Sequence, residues 1–148
     1  MSDPTITLTD EADPAIRDAI GAALKRYNEE QVGPINNRPL SIVLRAADSN
    51  EIIGGLTGRT SLGLLFIDLF VVPKDSRGSG LGRRLLRMAE EEGKKRGCRA
   101  ATLYTMNFQA PDFYEKYGYR RFGAKPDYYE DGAPAWRYEK PLQGDRAG

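Results

Sequence analysis

Apolar and polar residues change rhythm several times along this chain, and each rhythm predicts an element. The plainest is Leu64–Val72, LLFIDLFVV, nine residues that are all apolar except Asp68. A run that short, with Ile, Phe and two Val, predicts a strand buried on both faces. Past a glycine-rich loop, apolar residues recur at Leu81, Leu85, Met88 and Ala89, one face of a helix. Arg83, Arg84, Arg87, Glu90, Glu91, Lys94 and Lys95 fill its polar face. Glu90 with Lys94 and Glu91 with Lys95 are favourable pairs four residues apart. Gly97 stands where a helix C-cap is expected.

The remaining elements follow from the same reading. Thr5–Thr9 alternates around Ile6 and Leu8 and predicts a short first strand. Asp13-Pro14 predicts an N-cap with proline at the first helical position. The helical spacing of Ile16, Ala19, Ile20, Ala23, Leu24 and Tyr27 runs to about Asn28. Asn28–Arg38, with Gly33, Pro34 and then Pro39, predicts a connecting loop. Leu40–Ala47 and Ile52–Thr60 predict a hairpin turning at Asp48-Ser49-Asn50. Ala100–Thr105 predicts a strand, Gln109–Tyr117 a short helix, and Tyr119–Ala124 and Ala135–Lys140 two closing strands joined by Pro126–Pro134. Strand, helix and strand around the glycine loop form a parallel crossover, and the hairpins on either side are antiparallel. The expected class is α/β (α+β), a mixed sheet with helices on its faces.

Composition narrows the chemistry. The length of 148 residues predicts one domain, 1–148, with a real core. A formal charge of +1, from 22 basic and 21 acidic residues, argues against nucleic acid as a partner. No stretch is long enough to span a bilayer, and MSDPTITLTD lacks the features of a secretory signal, so no membrane role and a cytoplasmic location are expected. Cys98 is the only cysteine and there is no histidine, so no metal site is expected and the commonest general base is missing. Cys98 itself reads as a small buried thiol at a strand start. Chemistry falls to carboxylates, tyrosines, lysines, backbone amides or water.

The loop Arg77-Gly78-Ser79-Gly80-Leu81-Gly82 joins the apolar run to the helix. The first N–H groups of a helix lack intrahelical partners, and the dipole adds partial positive charge there. Glycines let a phosphate approach those donors, and Arg77, Arg83 and Arg84 add full charge. A phosphate cradle over Gly78–Arg83 follows, and a tight turn with no ligand stands beside it as the bland reading. A P-loop needs Lys-Ser/Thr after its last glycine, where this chain has Arg83-Arg84. Neither Gly78 nor Gly80 starts a G-x-G-x-x-G spacing.

The loop, with the strand before it and the helix after it, resembles the acetyl-CoA loop of the GNAT superfamily of N-acetyltransferases, Arg/Gln-x-x-Gly-x-Gly/Ala. A second signature of that family is an Asn followed by an aromatic-Tyr-x-x-x-Gly-Tyr/Phe helix end. Here it stands as Asn107 and then Phe113-Tyr114-Glu115-Lys116-Tyr117-Gly118-Tyr119. The resemblance covers roughly Ile42 to Leu142. It implies a mostly antiparallel central sheet of about seven strands, splayed at the central strands and flanked by helices.

The resemblance also implies roles. Acetyl-CoA is the expected cosubstrate, and the expected reaction is direct attack by a primary amine of a small molecule or peptide. The main chain of Phe70, Val71 and Val72 would bind the pantetheine arm as an added strand. Amides of Gly78, Ser79, Gly80, Leu81, Gly82 and Arg83, with Arg77 beside them, would hold the pyrophosphate. Asn107 would contact the cofactor near the thioester, and Tyr114 would protonate the departing thiolate. The amide of Val71 or Val72 could stabilise the oxyanion. Unlike relatives with a Glu there, Ala100–Thr105 carries no carboxylate. Asp68, the one charge in the apolar run, is therefore the candidate base, with an ordered water as the other option. Its alternative reading is a carboxylate paired with an arginine or a backbone donor. Tyr27, Tyr104, Tyr128, Tyr129 and Trp136, with Glu130 and Asp131, are candidates for the acceptor side, where aromatics and carboxylates suit a cationic amine. An edge strand near the C-terminus leaves room for a homodimer. The rival function is a catalytically silent acetyl-CoA sensor.

Overall fold

The structure is a computed structural model that describes residues 3–106, 111–125 and 135–142. The chain divides into two units, Met1–Ile35 and Asn36–Gly148. In the first, helix α1 spans Pro14–Val32. Its start is as predicted: the Asp13 carboxylate accepts from the Ala15 N–H at 2.9 Å, with proline in the first turn. The helix runs one turn beyond Asn28, and Gly33 donates back to the Glu29 carbonyl. The predicted first strand is not formed: Thr5–Thr9 has no strand structure. Two apolar residues in alternation do not create a partner, and a strand exists only by pairing.

The second unit is one six-stranded sheet. Its strands are β1 (Arg38–Arg45), β2 (Ile52–Ser61), β3 (Leu64–Val71), β4 (Ala100–Met106), β5 (Arg120–Lys125) and β6 (Ala135–Pro141). They lie in the order β1-β2-β3-β4-β6-β5. Only β3 and β4 pair in parallel; the other neighbours are antiparallel. The parallel crossover is helix α2, Leu81–Lys95, as the glycine loop and the helical pattern predict. A short helix α3, Pro111–Lys116, precedes β5. The described strand count is one below the expected seven, and the missing strand is Thr5–Thr9.

Helix α2 is rotated relative to the predicted face. Leu85, Leu86, Ala89, Glu90 and Gly93 are buried, whereas Met88 is half exposed. The pattern missed this phase because Glu90 counts as polar, yet it lies inside. Buried Leu40, Leu56, Leu65, Ile67, Ala101, Leu103 and Tyr138 make one face of the sheet part of the same core. The helix ends as Gly97 predicts: Gly97 donates to Lys94 and Cys98 to Gly93, the paired bonds of a Schellman motif. Arg96 then fastens this end to the sheet. Its guanidinium pairs with Glu92 at 2.9 Å and donates to the Pro39 carbonyl and the Thr60 hydroxyl, both at 3.1 Å.

Candidate active site

The site begins where β3 and β4 stop pairing. Their parallel ladder has four residue pairs, from Leu64 with Ala100 to Ile67 with Leu103. Beyond Ile67, β3 continues to Val71, and beyond Leu103, β4 continues to Met106. On its other edge β3 stays paired with β2 through Leu69, Phe70 and Val71. The sheet therefore opens on one side of β3 only, which leaves backbone groups of its last residues for another partner.

A β-bulge marks the same place. Thr57 pairs with Leu69 and Gly58 with Ile67, so Asp68 is the extra residue. The bulge resets the alternation. Leu65 and Ile67 point into the core, and after it Phe70, rather than Leu69, packs against that core; Leu69 is exposed. Asp68 is not buried as its place in an apolar run suggests. Its side chain is 53% exposed and lies 3.7 Å from Arg59, on the sheet face away from the core. Asp68 therefore has an arginine partner, and it faces outward because the strand's own alternation, with Leu65 and Ile67 inward, already points it there.

The glycine loop follows β3. Arg77 donates to the Val72 carbonyl at 3.3 Å and closes the loop against the strand end. Gly78 and Gly80 both have left-handed backbones, with φ of 85° and 82°, and a Cβ at either would meet nothing within 4 Å. The space above the loop is open, and glycine is there for its backbone conformation. Gly82 differs. A Cβ there would lie 3.4 Å from the Phe113 ring and 3.6 Å from Val72, so this glycine lets α2 sit close to α3 and β3. Arg84 makes the first bond of α2, to the Gly80 carbonyl, and no side chain caps Gly80. The N–H groups of Leu81, Gly82 and Arg83 precede that bond and are available to an anion.

Tyr114 lies on α3 and is 8% exposed. Its ring sits among Phe113 (5.4 Å between centroids), Tyr119 (5.8 Å), Tyr138 (6.2 Å) and Phe70 (6.3 Å). Burial in this aromatic nest pushes its hydroxyl up to about 12. The neighbours are fixed in turn. Tyr119 donates to the Glu90 carboxylate at 2.8 Å, and Lys140 binds the other Glu90 oxygen at 3.0 Å. Tyr138 donates to Glu115 at 2.7 Å. Burial, with the Glu90 charge beside it, raises the Tyr119 hydroxyl further still. Cys98 is buried, and burial raises its thiol, as expected of an inert packing residue.

An opened parallel seam, a run of uncapped helix-start amides and a buried phenol beside the strand end lie together, an arrangement that could receive a long phosphorylated ligand. The comparison that decides its kind is with families: the model of the acetyltransferase (GNAT) family matches residues 8–119. The chain belongs to the GNAT family. Among relatives, it is 43% identical to the acetyltransferase Atu2258 of Agrobacterium fabrum, over 79% of this chain and 85% of that one. It is 37% identical to the blasticidin-S acetyltransferase of Streptomyces morookaense, over 82% of this chain and 85% of that one. A crystal structure from Agrobacterium tumefaciens, assigned to an acetyltransferase, superimposes with a TM-score of 0.83 at 38% identity. It covers 93% of this chain and 99% of its own. As a GNAT acetyltransferase the protein uses acetyl-CoA as its cosubstrate.

The GNAT fold brings most of the predicted residues together. Phe70, Val71 and Val72 end the open edge of β3, the glycine loop follows them, and Tyr114 packs on Phe70. Asp68 stands apart, on the opposite sheet face from Tyr114's nest. Asn107, Tyr128, Tyr129, Glu130, Asp131 and the side chain of Trp136 lie outside the described residues. Tyr104 is on the exposed face of β4, with the Arg137 guanidinium 5.4 Å from its ring centre. Sequence reasoning missed Glu90, hidden among a helix's polar residues, and Arg137, whose place opposite Tyr104 follows only from strand register. Among the described residues there is no cluster able to hold a metal and no helix long and apolar enough to cross a membrane.

Proposed function

We propose that this chain moves the acetyl group of acetyl-CoA to a primary amine of a small molecule or peptide, by direct attack within a ternary complex. The observation that carries the reading is the packing of Phe70 on Tyr114. It ties the one buried phenol of α3 to the stretch of β3 beyond its last parallel pair. The residues suit the cosubstrate: the space above Gly78 and Gly80 is open, and three helix-start amides stand behind it. Val71 and Val72 would offer backbone groups to the pantetheine arm, Gly78 to Arg83 would hold the pyrophosphate, and Asn107 would sit near the thioester.

Bound acetyl-CoA supplies the thioester whose C–S bond breaks as the amine's C–N bond forms. Tyr114 gives its proton to the departing sulfur. A phenol raised to about 12 stays protonated at neutral pH, and the dry nest that raises it also raises a thiol beside it, which narrows the gap between donor and acceptor. The amide of Val71 or Val72 donates to the carbonyl oxygen. Asp68, or water beside it, takes the proton that the amine loses. The family match crosses the division between the two units, which supports a single functional domain. The near-neutral charge supports a partner other than nucleic acid.

The test is acetyl-CoA turnover against a panel of amines, blasticidin S among them, read by release of free thiol. Release with at least one amine, lost in Tyr114→Phe, is the expected result. Tight binding of acetyl-CoA with no release for any amine would instead make the protein a sensor.

A further inference from the structure

The sheet face away from the core carries a feature that the transfer reaction does not require. Where the β3–β4 ladder ends, the next outward residues are Asp68 on β3 and Tyr104 on β4. One strand further, Arg137 of β6 is the register partner of Tyr104. Its guanidinium lies over the Tyr104 ring at 5.4 Å from the centre. The π-face that could have received a cationic amine is thus already occupied by a cation of the protein itself.

Two arginines flank the seam on this face, and they are not equivalent. Arg59 is 4.3 Å from the Phe66 ring centre and 3.7 Å from Asp68, so its charge is already matched. Arg137 is exposed and makes no ion pair among the described residues. Its cation–π contact with Tyr104, 5.4 Å from the ring centre, restrains the side chain, which lowers the entropy lost on receiving a ligand. Asp68 and Arg137 stand on either side of β4 where the seam has opened, so at least two strand spacings of roughly 5 Å separate them.

We infer that Arg137, held on Tyr104, is an anion subsite for the acceptor, and that the preferred amine carries a carboxylate within a few bonds of its nitrogen. The inference rests on the reading that the amine reaches the seam from this face, with its nitrogen toward Asp68. The guanidinium then takes the carboxylate through two parallel N–H donors, the geometry in which arginine discriminates best.

The experiment titrates CoA-saturated protein by calorimetry with β-alanine, γ-aminobutyrate and their carboxamides. The acids should bind about tenfold or more tightly than the carboxamides, the scale of one charge-assisted hydrogen bond. In Arg137→Gln that ratio should fall toward one, and Arg137→Lys should restore only part of it. Arg137 is at the surface, so the variants are expected to fold. Equal affinity of acid and carboxamide in the unmodified protein, no binding of either, or an acid preference that survives Arg137→Gln would each overturn the subsite. Thiol release, measured alongside, separates the two readings. Release from neutral amines without acid preference sinks the subsite alone, and acid preference with no release from any amine sinks the transfer reaction alone.

Discussion

Ile67 and Leu103 form the last parallel pair between β3 and β4, and both strands go on past it unpaired to each other. Everything the site can do depends on that early stop. Backbone groups of Leu69 to Val72 that face the seam should be taken up by the pantetheine arm. Hydrogen exchange at these amides is therefore expected to slow when acetyl-CoA is added, while amides in the Leu64–Ile67 ladder stay as they were. Unchanged exchange along the open edge would mean that the arm lies elsewhere.

The loop makes a second forecast. Gly80 has a left-handed backbone with open space around it, so a valine there costs conformation rather than packing, about 1–3 kcal/mol. Gly80→Val should misdirect the first amides of α2 and weaken CoA binding by about tenfold or more, while circular dichroism shows an intact fold. Gly82→Val acts differently, because its side chain would push on Phe113. It should lower the melting temperature as well as affinity. Undiminished CoA affinity in Gly80→Val would remove the cradle.

Removing the Tyr114 hydroxyl should lower kcat about 10²-fold or more, with the KM for acetyl-CoA little changed. The ring keeps its aromatic contacts in Tyr114→Phe, so stability at neutral pH should hold. The same hydroxyl bears on alkaline stability. Its pKa rises from an ordinary 10 to about 12 in the folded protein, so between those values the unfolded chain has lost the proton and the folded one keeps it. Stability is full below pH 10 and falls as pH climbs toward 12. Denaturant melts across that window should show a shallower fall in Tyr114→Phe than in the parent. Identical slopes would place the phenol in water.

Glu90 holds two partners inside the protein, the Tyr119 hydroxyl and the Lys140 ammonium. Glu90→Leu leaves both without an acceptor and should cost about 2–4 kcal/mol by urea titration. Glu90→Gln keeps one acceptor and should cost less. A neutral result for Glu90→Leu would mean that the network adds nothing to stability.

Asp68 is exposed and already paired with Arg59, so its substitution should leave folding intact. If it takes the amine's proton, Asp68→Asn lowers kcat about 10²-fold while the KM for acetyl-CoA holds. An unchanged kcat hands that duty to water.

Much of this protein follows from its residues in order. Short-range chemistry wrote the apolar run of β3, the glycine loop, the capped start of α1 and the Gly97 end of α2, because each depends on neighbours a few positions apart. The FYEKYGY segment placed Tyr114 on a short helix for the same reason. Tertiary structure decided the rest. Thr5–Thr9 forms no strand, and one-sided burial of the sheet left Asp68, on its outer face, in solvent. Burial depends on what faces a residue, so Glu90, charged in sequence, became the centre of a buried network. The meeting of Tyr104 with Arg137 depends on register between β4 and β6, residues more than thirty positions apart. No local pattern carries information across that distance, because it is set by which backbones find each other when the sheet closes.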